Sequence, residues 1–428
     1  MKNFTQFKWF VLFVVFSANA QQEKGIFGSN NWLNNWTEFK PSKAEYNETT
    51  QILYGKIDKN TTLYKKDAYL LQGPVYVVNN AVLTIEAGTV IRGDFDTNGT
   101  LVITKGSKIM AEGKETDPIV FTSNKASRKA GDWGGIVILG DAPINKFGGN
   151  STVNFDLDPT QTIYGGSNAQ SDSGILRFVR IEFAGKKVKG YKDFNALSIA
   201  GVGSKTVIDN VMCSFSAKDA FEILGGNTIM NKMVSLRANG SDFKFTQGAQ
   251  SKLDNSIAIR HSYFSTSSRS RCIEVASYEK KEEADFSKAL TSVVATNVTM
   301  INTSEQLSAD LASGLVKEAV FVNINASLAI KKSVISGFNP AIILDDEISL
   351  DEKSFKMLKF EEIFFNNCKG NIFVENSTNN EDLEDYYGNL AFFNVHENQQ
   401  NDNMFIDIYN KSNNPDFRIK LGHITASK

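Results

Sequence analysis

The feature that most constrains the fold is a repeat of about 22 residues between Val207 and Val275. Each of three consecutive rows has an asparagine near its start and an apolar, charged, apolar triplet near its end. The asparagines are Asn210, Asn231 and Asn255, and the triplets are residues 221–223, 243–245 and 273–275. Self-similarity at a fixed period of this length is typical of a solenoid, in which repeated units stack and bury a shared core.

Within a row the apolar residues alternate along the chain, as Val211, Cys213 and Phe215 do, which is the period of a strand. A unit of about 22 residues is too short to hold a helix as well as strands and their connections. The rows therefore predict an all-β fold, a parallel β-helix. We expect Asn210, Asn231 and Asn255 to stack along one corner and to bind the backbone of the turns.

Length and charge narrow the classes of function. The chain has 428 residues, but a solenoid grows by adding units, so its length does not indicate how many domains it contains. The formal net charge of −2 leaves no basic surplus to neutralise phosphates, which argues against a nucleic-acid partner.

The first 20 residues have the pattern of an export signal. Lys2 and Lys8 give a positive start, residues 9–16 are an apolar run, and residues 18–20 (Ala-Asn-Ala) form a small-x-small cleavage site. We expect the mature protein to begin near Gln21. No later apolar run approaches the roughly 20 residues of a membrane-spanning helix, so the mature chain is predicted to have no transmembrane segment.

The cysteine count is odd for an exported protein. Cys213, Cys272 and Cys368 each lie in or beside a strand-like run, which favours buried, small apolar residues. A disulfide between two of them stays open as an alternative. The three histidines are far apart in sequence, which argues against a zinc centre.

The repeat divides the chain into a solenoid between two caps. After the signal peptide (1–20), the polar residues 21–72 are predicted to form an N-terminal cap and entry segment. Strand rows fill residues 73–375, and residues 376–428 are predicted to form a C-terminal cap, with a loop near 376–386.

Three excursions interrupt the rows. They are residues 146–174, which are rich in Gly, Ser, Asn and Asp, and the charged stretches 279–285 and 345–353. Insertions in solenoids often collect on one face, and that face often binds a ligand. We therefore expect these loops to project from the side of the coils.

Several long motifs resemble a family of exported, right-handed parallel β-helix proteins of Bacteroidota with a pectin-lyase-like solenoid. They include LTIEAGTVIRGD (83–94), GDWGGIVILGDAPIN (131–145) and LRFVRIEFAG (176–185), and the resemblance extends over roughly residues 27–250. It implies the fold, but it implies little about function, since members of the family carry generic labels.

The resemblance also identifies a departure from the family pattern. Relatives have acidic residues in successive rows, and here Asp219, Glu222, Asp242 and Glu274 match that pattern. Lys244 stands where the second row would end in an acid. If the acids of relatives bind a cation, the resemblance implies that this chain has lost much of the site.

In a parallel β-helix, Glu222, Lys244 and Glu274 would lie on neighbouring coils and face the same way. Strands about 4.8 Å apart bring equivalent side chains into contact, so the three would form a ladder of alternating charge. We expect this ladder to be exposed to solvent, where each ion pair contributes about 0.2 to 1 kcal/mol. The alternative is that the acids gather for chemistry or for a cation. The residues of such a candidate site are Asp219, Glu222, Asp242, Lys244 and Glu274.

Enzymes that cleave sugars need two clustered carboxylates, or a carboxylate-bound calcium ion with a basic residue to take a proton. Asp219, Glu222 and Asp242 could supply the acids. The candidate bases are Arg180, Arg237 and Arg260. We predict instead that these side chains are ordinary surface residues and that no catalytic residue is present.

The sequence therefore favours an exported, non-catalytic β-helix that binds or scaffolds, as a subunit or partner of an outer-membrane or cell-surface assembly. The alternatives are a polysaccharide lyase or glycoside hydrolase that acts on an acidic glycan, and a glycan-binding adhesin. No cofactor is predicted, with calcium reserved for the lyase alternative. The expected partner is an outer-membrane protein or a polysaccharide, and residence in the periplasm stays open.

Overall fold

The computed structural model describes residues 23–262, 270–377, 380–410 and 412–420, and these residues form a parallel β-helix. The predicted all-β solenoid is confirmed: 29 strands join into one continuous sheet that winds through the coils. The parallel pairing of strands from successive coils places the strands in three stacks, which we call sheets 1, 2 and 3. The predicted signal peptide lies outside the described residues.

Each coil contributes one strand to each sheet. Sheet 1 contains Thr61–Leu63, Val82–Ile85, Lys108–Glu112, Asn227–Asn231, Gln250–Asp254, Ser292–Thr296, Ser327–Lys331 and Leu358–Glu361. Sheet 2 contains Val90–Gly93, Ile119–Ser123, Val234–Leu236, Ile257–Arg260, Thr299–Asn302, Val334–Ser336, Phe364–Asn366 and Val395–Glu397. Sheet 3 contains Thr100–Ile103, Gly135–Leu139, Leu197–Ala200, Phe221–Leu224, Phe243–Thr246, Ile273–Val275, Val320–Val322, Ile342–Leu344 and Ile372–Val374.

Four longer strands bend across a corner and belong to two sheets. Gln51–Ile57 and Ala68–Val77 run from sheet 2 into sheet 3. Gly174–Glu182 and Val207–Ser214 run from sheet 1 into sheet 2. The first of these strands, Gln51–Ile57, pairs only with Ala68–Val77 in the described residues, so it forms the edge of the first coil.

Short helices and two antiparallel strand pairs lie outside the coils. The α-helices are Leu307–Ala312, Glu352–Met357, Glu381–Gly388 and Asn401–Met404, and the 3₁₀ turns are Pro41–Lys43, Phe147–Gly149, Pro159–Gln161, Lys281–Glu283 and Leu390–Phe392. The antiparallel pairs are Ser151–Thr152 with Ile163–Tyr164 and Phe405–Asp407 with Asp416–Ile419. No helix in these stretches of the chain is both long and apolar enough to span a membrane.

Inward-facing apolar side chains of successive coils stack along the axis and form one continuous core. The rings of Phe221 and Phe243, on adjacent coils, lie almost parallel with centroids 5.2 Å apart. Cys213 and Cys272 are buried in this core and Cys368 is half-buried, and all three are free thiols. The prediction that the cysteines act as small apolar residues is therefore confirmed for Cys213 and Cys272.

The asparagines of the repeat do not all stack as predicted. Asn210 and Asn255 occupy the same corner with positive φ angles of 52° and 42°, but Lys232 (φ 52°) fills that position in the coil between them. Asn231 lies one residue earlier, where it pairs with Asp209 and donates a hydrogen bond to its carboxylate. The asparagines do not align because their spacing differs from row to row. The alignment of neighbouring coils is set by the inward-facing apolar residues instead.

The N-terminal segment does not cap the first coil as predicted. Residues 24–47, which we call the strap, run lengthwise over the outer face of sheet 2. The strap begins where the Gly25 N–H donates to the Lys332 carbonyl. It ends where Arg92 donates to the carbonyls of Tyr46 and Asn47. Those contacts lie seven coils apart, so the strap spans roughly 35 Å of the solenoid at about 4.8 Å per coil.

Apolar side chains attach the strap to sheet 2. Ile26, Leu33 and Trp36 are buried against the outward-facing Met212 and Ile257. The antiparallel pair Phe405–Asp407 with Asp416–Ile419, which we call the C-terminal hairpin, packs on the same face beside the strap. The two ends of the chain thus cover one side of the coils together.

Only part of the C-terminal region lies at the end of the solenoid. The predicted loop near 376–386 is wrong in its second half, because helix Glu381–Gly388 begins there. Its Leu383 and Tyr387 join the core, and the Tyr387 hydroxyl donates to the Leu358 carbonyl at 2.9 Å. This helix covers the last coils.

Candidate functional site

The charged ladder predicted from the repeat exists, but it is not exposed. Glu222 pairs with Lys244, and Lys244 pairs with Glu274, on three consecutive strands of sheet 3. The side chain of Glu222 is 0% exposed, so the predicted solvated ladder is wrong on this point. The reason is that loops lie over the outer face of sheet 3.

Two residues from those loops complete the cluster. The Lys192 ammonium lies 2.8 Å from a Glu222 carboxylate oxygen and 2.8 Å from a Glu279 carboxylate oxygen. The Lys244 ammonium lies 3.5 Å from the same two carboxylates. The four side chains form a closed arrangement of two cations and two anions, which we call the ionic cluster. Lys192 was not predicted, because nothing in its local sequence indicates which strand its loop covers.

The electrostatics hold every member of the ionic cluster in its charged form. Burial alone would raise the pKa of Glu222, but Lys192 and Lys244 lower it below its ordinary value. Burial would also raise the pKa of Glu279, yet the Lys192 ammonium lowers it to about 2. Burial lowers the pKa of both lysines, but Glu222 raises each above its ordinary value. A lysine with a raised pKa cannot serve as a proton acceptor near neutral pH.

Asp219 and Glu274 lie at the margin of the ionic cluster. One Asp219 oxygen accepts the Ser241 N–H at 2.8 Å, and the Ser241 hydroxyl donates to Glu274 at 2.7 Å. The other Asp219 oxygen is buried and has no hydrogen-bond partner among the described residues. Burial raises the pKa of Asp219, while Lys244 opposes the rise.

Asp242 belongs to a separate pair. Its carboxylate accepts from Arg260 at 2.8 Å and from the Ser235 hydroxyl at 2.5 Å, and all three side chains are buried. Arg260 is therefore engaged with Asp242. The other two candidate bases, Arg180 and Arg237, lie along sheet 2 rather than sheet 3. The five candidate residues thus divide between the cluster region and a buried ion pair.

Two of the three excursions predicted to project from the coils, residues 146–174 and 279–285, instead fold down as a cover over sheet 3. The third, residues 345–353, is mostly exposed as predicted. Tyr164 is buried and its hydroxyl donates to Gln247 at 2.7 Å, and the rings of Phe155 and Phe194 stack at 4.8 Å. An ion pair of 2.5 Å between Lys146 and Glu283 joins the 146–174 excursion to the 279–285 excursion. Apolar side chains of this cover, among them Val153, Phe155 and Tyr164, pack against outward-facing Val137 and Leu224 of sheet 3. The ionic cluster lies beneath the cover on the same sheet.

No three His, Cys, Asp or Glu side chains in the described part of the chain are grouped so that they could hold a metal ion. In the ionic cluster the carboxylate oxygens already accept from Lys192, Lys244 and Asn195. The arrangement can fix the cover to the coils. It offers no carboxylate that is both open to solvent and uncompensated.

A solvent-open groove lies on sheet 2, where the strap and the C-terminal hairpin meet. One part, of about 430 Å³, is lined by Phe39, Arg237, His261 and Phe417. A second part, of about 620 Å³, adjoins it through Glu305 and Tyr409 and continues along Ser304–Ala309 and Gln400–Asp402. Aromatic, amide and charged side chains line this groove, a mixture that suits polar ligands with apolar faces.

Comparison with known proteins supports the fold. Residues 55–407 match the family described as the pectate-lyase-like β-helix domain. No curated protein shows significant sequence similarity to the chain. A solved structure of the Streptococcus pneumoniae surface protein and adhesin PfbA shares 10% identity, covers 76% of this chain and 91% of its own, and superposes with a TM-score of 0.32. A score this low carries no argument about function.

Proposed function

The chain belongs to the family of pectate-lyase-like β-helix domains, and from that premise we propose that it is an exported, non-catalytic binding or scaffold protein. Its partner would be an outer-membrane or cell-surface component, either a protein or a polysaccharide. Export rests on the signal-peptide pattern of residues 1–20. The family by itself is compatible with enzymes and with proteins that only bind.

The observation that carries the proposal is the mutual neutralisation of the ionic cluster. Acid–base cleavage of a sugar bond needs a donor or acceptor whose pKa lies near the working pH and which contacts the substrate. Glu222 has a lowered pKa and is fully buried, and Lys244 has a raised pKa and is mostly buried. Glu222 and Glu279 therefore contribute ion pairs between the coils and the loops that cover them.

The groove on sheet 2 is the surface that we assign to binding. Tyr409 is 45% exposed and lies where the two parts of the groove join. An exposed aromatic ring beside amide and carboxylate groups suits the alternating apolar and polar faces of a sugar ring. A glycan on a cell surface is therefore the ligand class that the groove fits best, in keeping with the adhesin alternative.

A test compares two tyrosines of equal exposure on different faces. We expect Tyr409→Ala to weaken binding to a panel of immobilised bacterial polysaccharides about tenfold or more, a loss of about 1.4 kcal/mol. Tyr191→Ala, at a residue that is 48% exposed on the cover loop, should change affinity less than twofold. Equal losses from both substitutions would place binding elsewhere.

One observation favours the enzyme alternative. Asp219 has an unpartnered buried oxygen and a pKa raised by burial, as a carboxyl that donates a proton would have. The purified protein should therefore be incubated with acidic polysaccharides, with calcium or with a chelator. Depolymerisation that Asp219→Ala abolishes would overturn the non-catalytic proposal, and calcium dependence would identify a lyase.

A further inference from the structure

A second group of buried charges lies under the end of the strap, at a place that the sequence did not identify. Arg92, Thr122, Glu182 and Ser214 occupy equivalent outward positions on four successive coils of sheet 2. All four side chains are at least nine-tenths buried. Tyr46 of the strap lies over them.

Tyr46 connects the group. Its hydroxyl donates to a Glu182 oxygen at 2.8 Å and accepts from Arg180 at 3.0 Å. The guanidinium groups of Arg128 and Arg180 lie 5.1 and 5.9 Å from the centre of its ring. Arg128 also donates to the Ala44 carbonyl of the strap. Three arginines thus converge on one tyrosine.

Six buried polar atoms at this place have no hydrogen-bond partner in the described part of the chain. Three of them are guanidinium nitrogens, namely Arg92 Nε, Arg180 Nε and Arg128 Nη1. Two are the hydroxyls of Thr122 and Ser214, and one is the second oxygen of Glu182. Arg180 Nε forms an ion pair with Glu182 at 3.5 Å. If both hydroxyls turn towards Glu182, Arg92 Nε and Arg128 Nη1 still need an acceptor.

The balance of buried charges around Tyr46 indicates what kind of hydrogen-bond acceptor these N–H groups require. Three guanidinium groups face one carboxylate, that of Glu182. Two other buried acids of these coils are engaged elsewhere. Asp132 accepts from the Ser123 hydroxyl and the Lys129 N–H, and Asp94 accepts from Thr97 and Asn124. Water could accept the hydrogen bonds, but it would leave the excess positive charge uncompensated in a buried setting. Arginine forks match the oxygen geometry of sulfate, phosphate and carboxylate.

We propose that Arg92, Arg128 and Arg180 form a binding site for an oxyanion group beneath the strap. The group reaches the site from the side of Arg128, which is half-buried in a loop whose neighbours Ser127 and Lys129 are exposed. Its source is either a free inorganic anion or an anionic substituent on a larger molecule such as an acidic glycan. This site is independent of the groove and does not rest on the proposed function.

Calorimetric titration of the purified protein with sodium sulfate and with sodium phosphate tests the site. At millimolar anion the general stabilising effect of sulfate on proteins is small, and sodium chloride at equal ionic strength corrects for it. We expect saturable binding to the wild-type protein. Arg128→Gln should weaken it at least tenfold, whereas Lys129→Gln, the same change of charge one residue away, should weaken it less than twofold.

A chemical measurement needs no variant. Sulfate should slow the reaction of Arg128 with an arginine-selective dicarbonyl reagent, as read by peptide mass spectrometry, and should leave Arg177 of sheet 1 unaffected. The proposal is overturned if the wild-type protein neither binds sulfate or phosphate nor shows this protection. Equal losses in Arg128→Gln and Lys129→Gln would also overturn it, because they would indicate screening of surface charge.

The source of the anion is decided by competition. Free sulfate is tested as a competitor of a sulfated or uronic-acid polysaccharide. If sulfate displaces the polysaccharide, and Arg128→Gln abolishes the binding of sulfate and of the polysaccharide, the site recognises a substituent on a polymer. If free sulfate binds but no such polymer competes with it, the site holds a free ion that fixes the strap to the coils.

Discussion

The outer faces of sheet 2 and sheet 3 are both covered by chain that lies outside the coils, and both covers pack through apolar side chains. They differ in how many coils they contact and in the ionic cluster that lies under the sheet 3 cover. On sheet 2 the strap packs through Ile26, Leu33 and Trp36 against outward-facing apolar side chains. On sheet 3 the 146–174 excursion also packs through apolar side chains, Val153, Phe155 and Tyr164, against outward-facing residues of the strands. The ionic cluster of Lys192, Glu222, Lys244 and Glu279 adds charged contacts between loops and coils.

This difference has consequences for how the molecule is stabilised. In a solenoid each coil contacts only its neighbours, so stability is close to a sum of local terms. The strap contacts coils from the one containing Arg92 to the one containing Lys332, and it therefore couples distant parts of the stack. The cover on sheet 3 joins loops of nearby coils, and the ionic cluster adds charged contacts to its apolar packing. The sheet 2 cover should thus matter for global stability and the sheet 3 cover for local opening.

The largest expected effect is on the strap. Trp36 is fully buried and meets Phe178 edge to face at 5.9 Å, so Trp36→Ala should lower the free energy of unfolding by about 3 to 5 kcal/mol. Urea unfolding followed by circular dichroism measures this loss. Tyr54→Ala, at a side chain that is 73% exposed on the first strand, is the control and should change stability by less than about 0.5 kcal/mol. A loss below about 1 kcal/mol for Trp36→Ala would show that the strap is not coupled to the coils.

The next effect is on the buried member of the ionic cluster. Glu222→Gln removes the carboxylate that both lysines contact and leaves Lys244 buried without its main partner, which should cost about 3 kcal/mol. Replacing Lys244 by Met in the same protein should recover part of that loss, because the uncompensated charge is then gone. No recovery in the double variant, measured by the same urea unfolding, would contradict a role for charge compensation.

Acid should distinguish the two covers. The pKa of Glu222 and of Glu279 is lowered in the folded protein, to about 2 for Glu279, so their stabilisation is fully present above the ordinary carboxylate pKa. It is lost as the pH falls from about 4.5 towards 2. Hydrogen exchange of the 279–285 loop should therefore accelerate over this range, while exchange in strap residues 24–39 changes less. Equal acceleration in both segments would indicate global unfolding instead.

The smallest effect is expected at the exposed member of the cluster. Glu279 contacts the same two lysines as Glu222, but its side chain is 47% exposed. Glu279→Gln should therefore cost no more than about 1 kcal/mol and should be sensitive to salt. Limited proteolysis of the 279–285 loop offers a second readout. A cost equal to that of Glu222→Gln would mean that burial does not set the strength of these ion pairs.

The sequence predicted the pairing of Glu222, Lys244 and Glu274 correctly because register follows from the repeat. Each of the three stands at the centre of an apolar triplet, and triplets on neighbouring coils must align to keep their apolar residues inward. The solvent exposure of these three residues could not be predicted from the repeat in the same way. An outward-facing residue is exposed only if nothing covers that face, and the covering residue Lys192 is 30 positions from Glu222 in sequence.

The N-terminal segment shows more clearly that the sequence does not predict which face of the coils a segment covers. Residues 21–72 precede the strand rows, and a cap on the first coil is the prediction that uses only this neighbourhood in sequence. The contact of Ile26 with Thr299 joins positions 273 residues apart. Nothing local distinguishes an apolar segment that covers an end from one that runs along a side.

By itself the sequence determined the coil, the direction in which each side chain points and the register of charged residues between coils. These follow from a period of alternating apolar residues, which is a local property of the chain. The tertiary structure alone decided which outer faces are covered, which charges are buried and where a groove stays open. Those outcomes depend on contacts between segments that are tens to hundreds of residues apart in sequence. The burial of a charge and the charges around it, rather than its presence alone, set its pKa and its role.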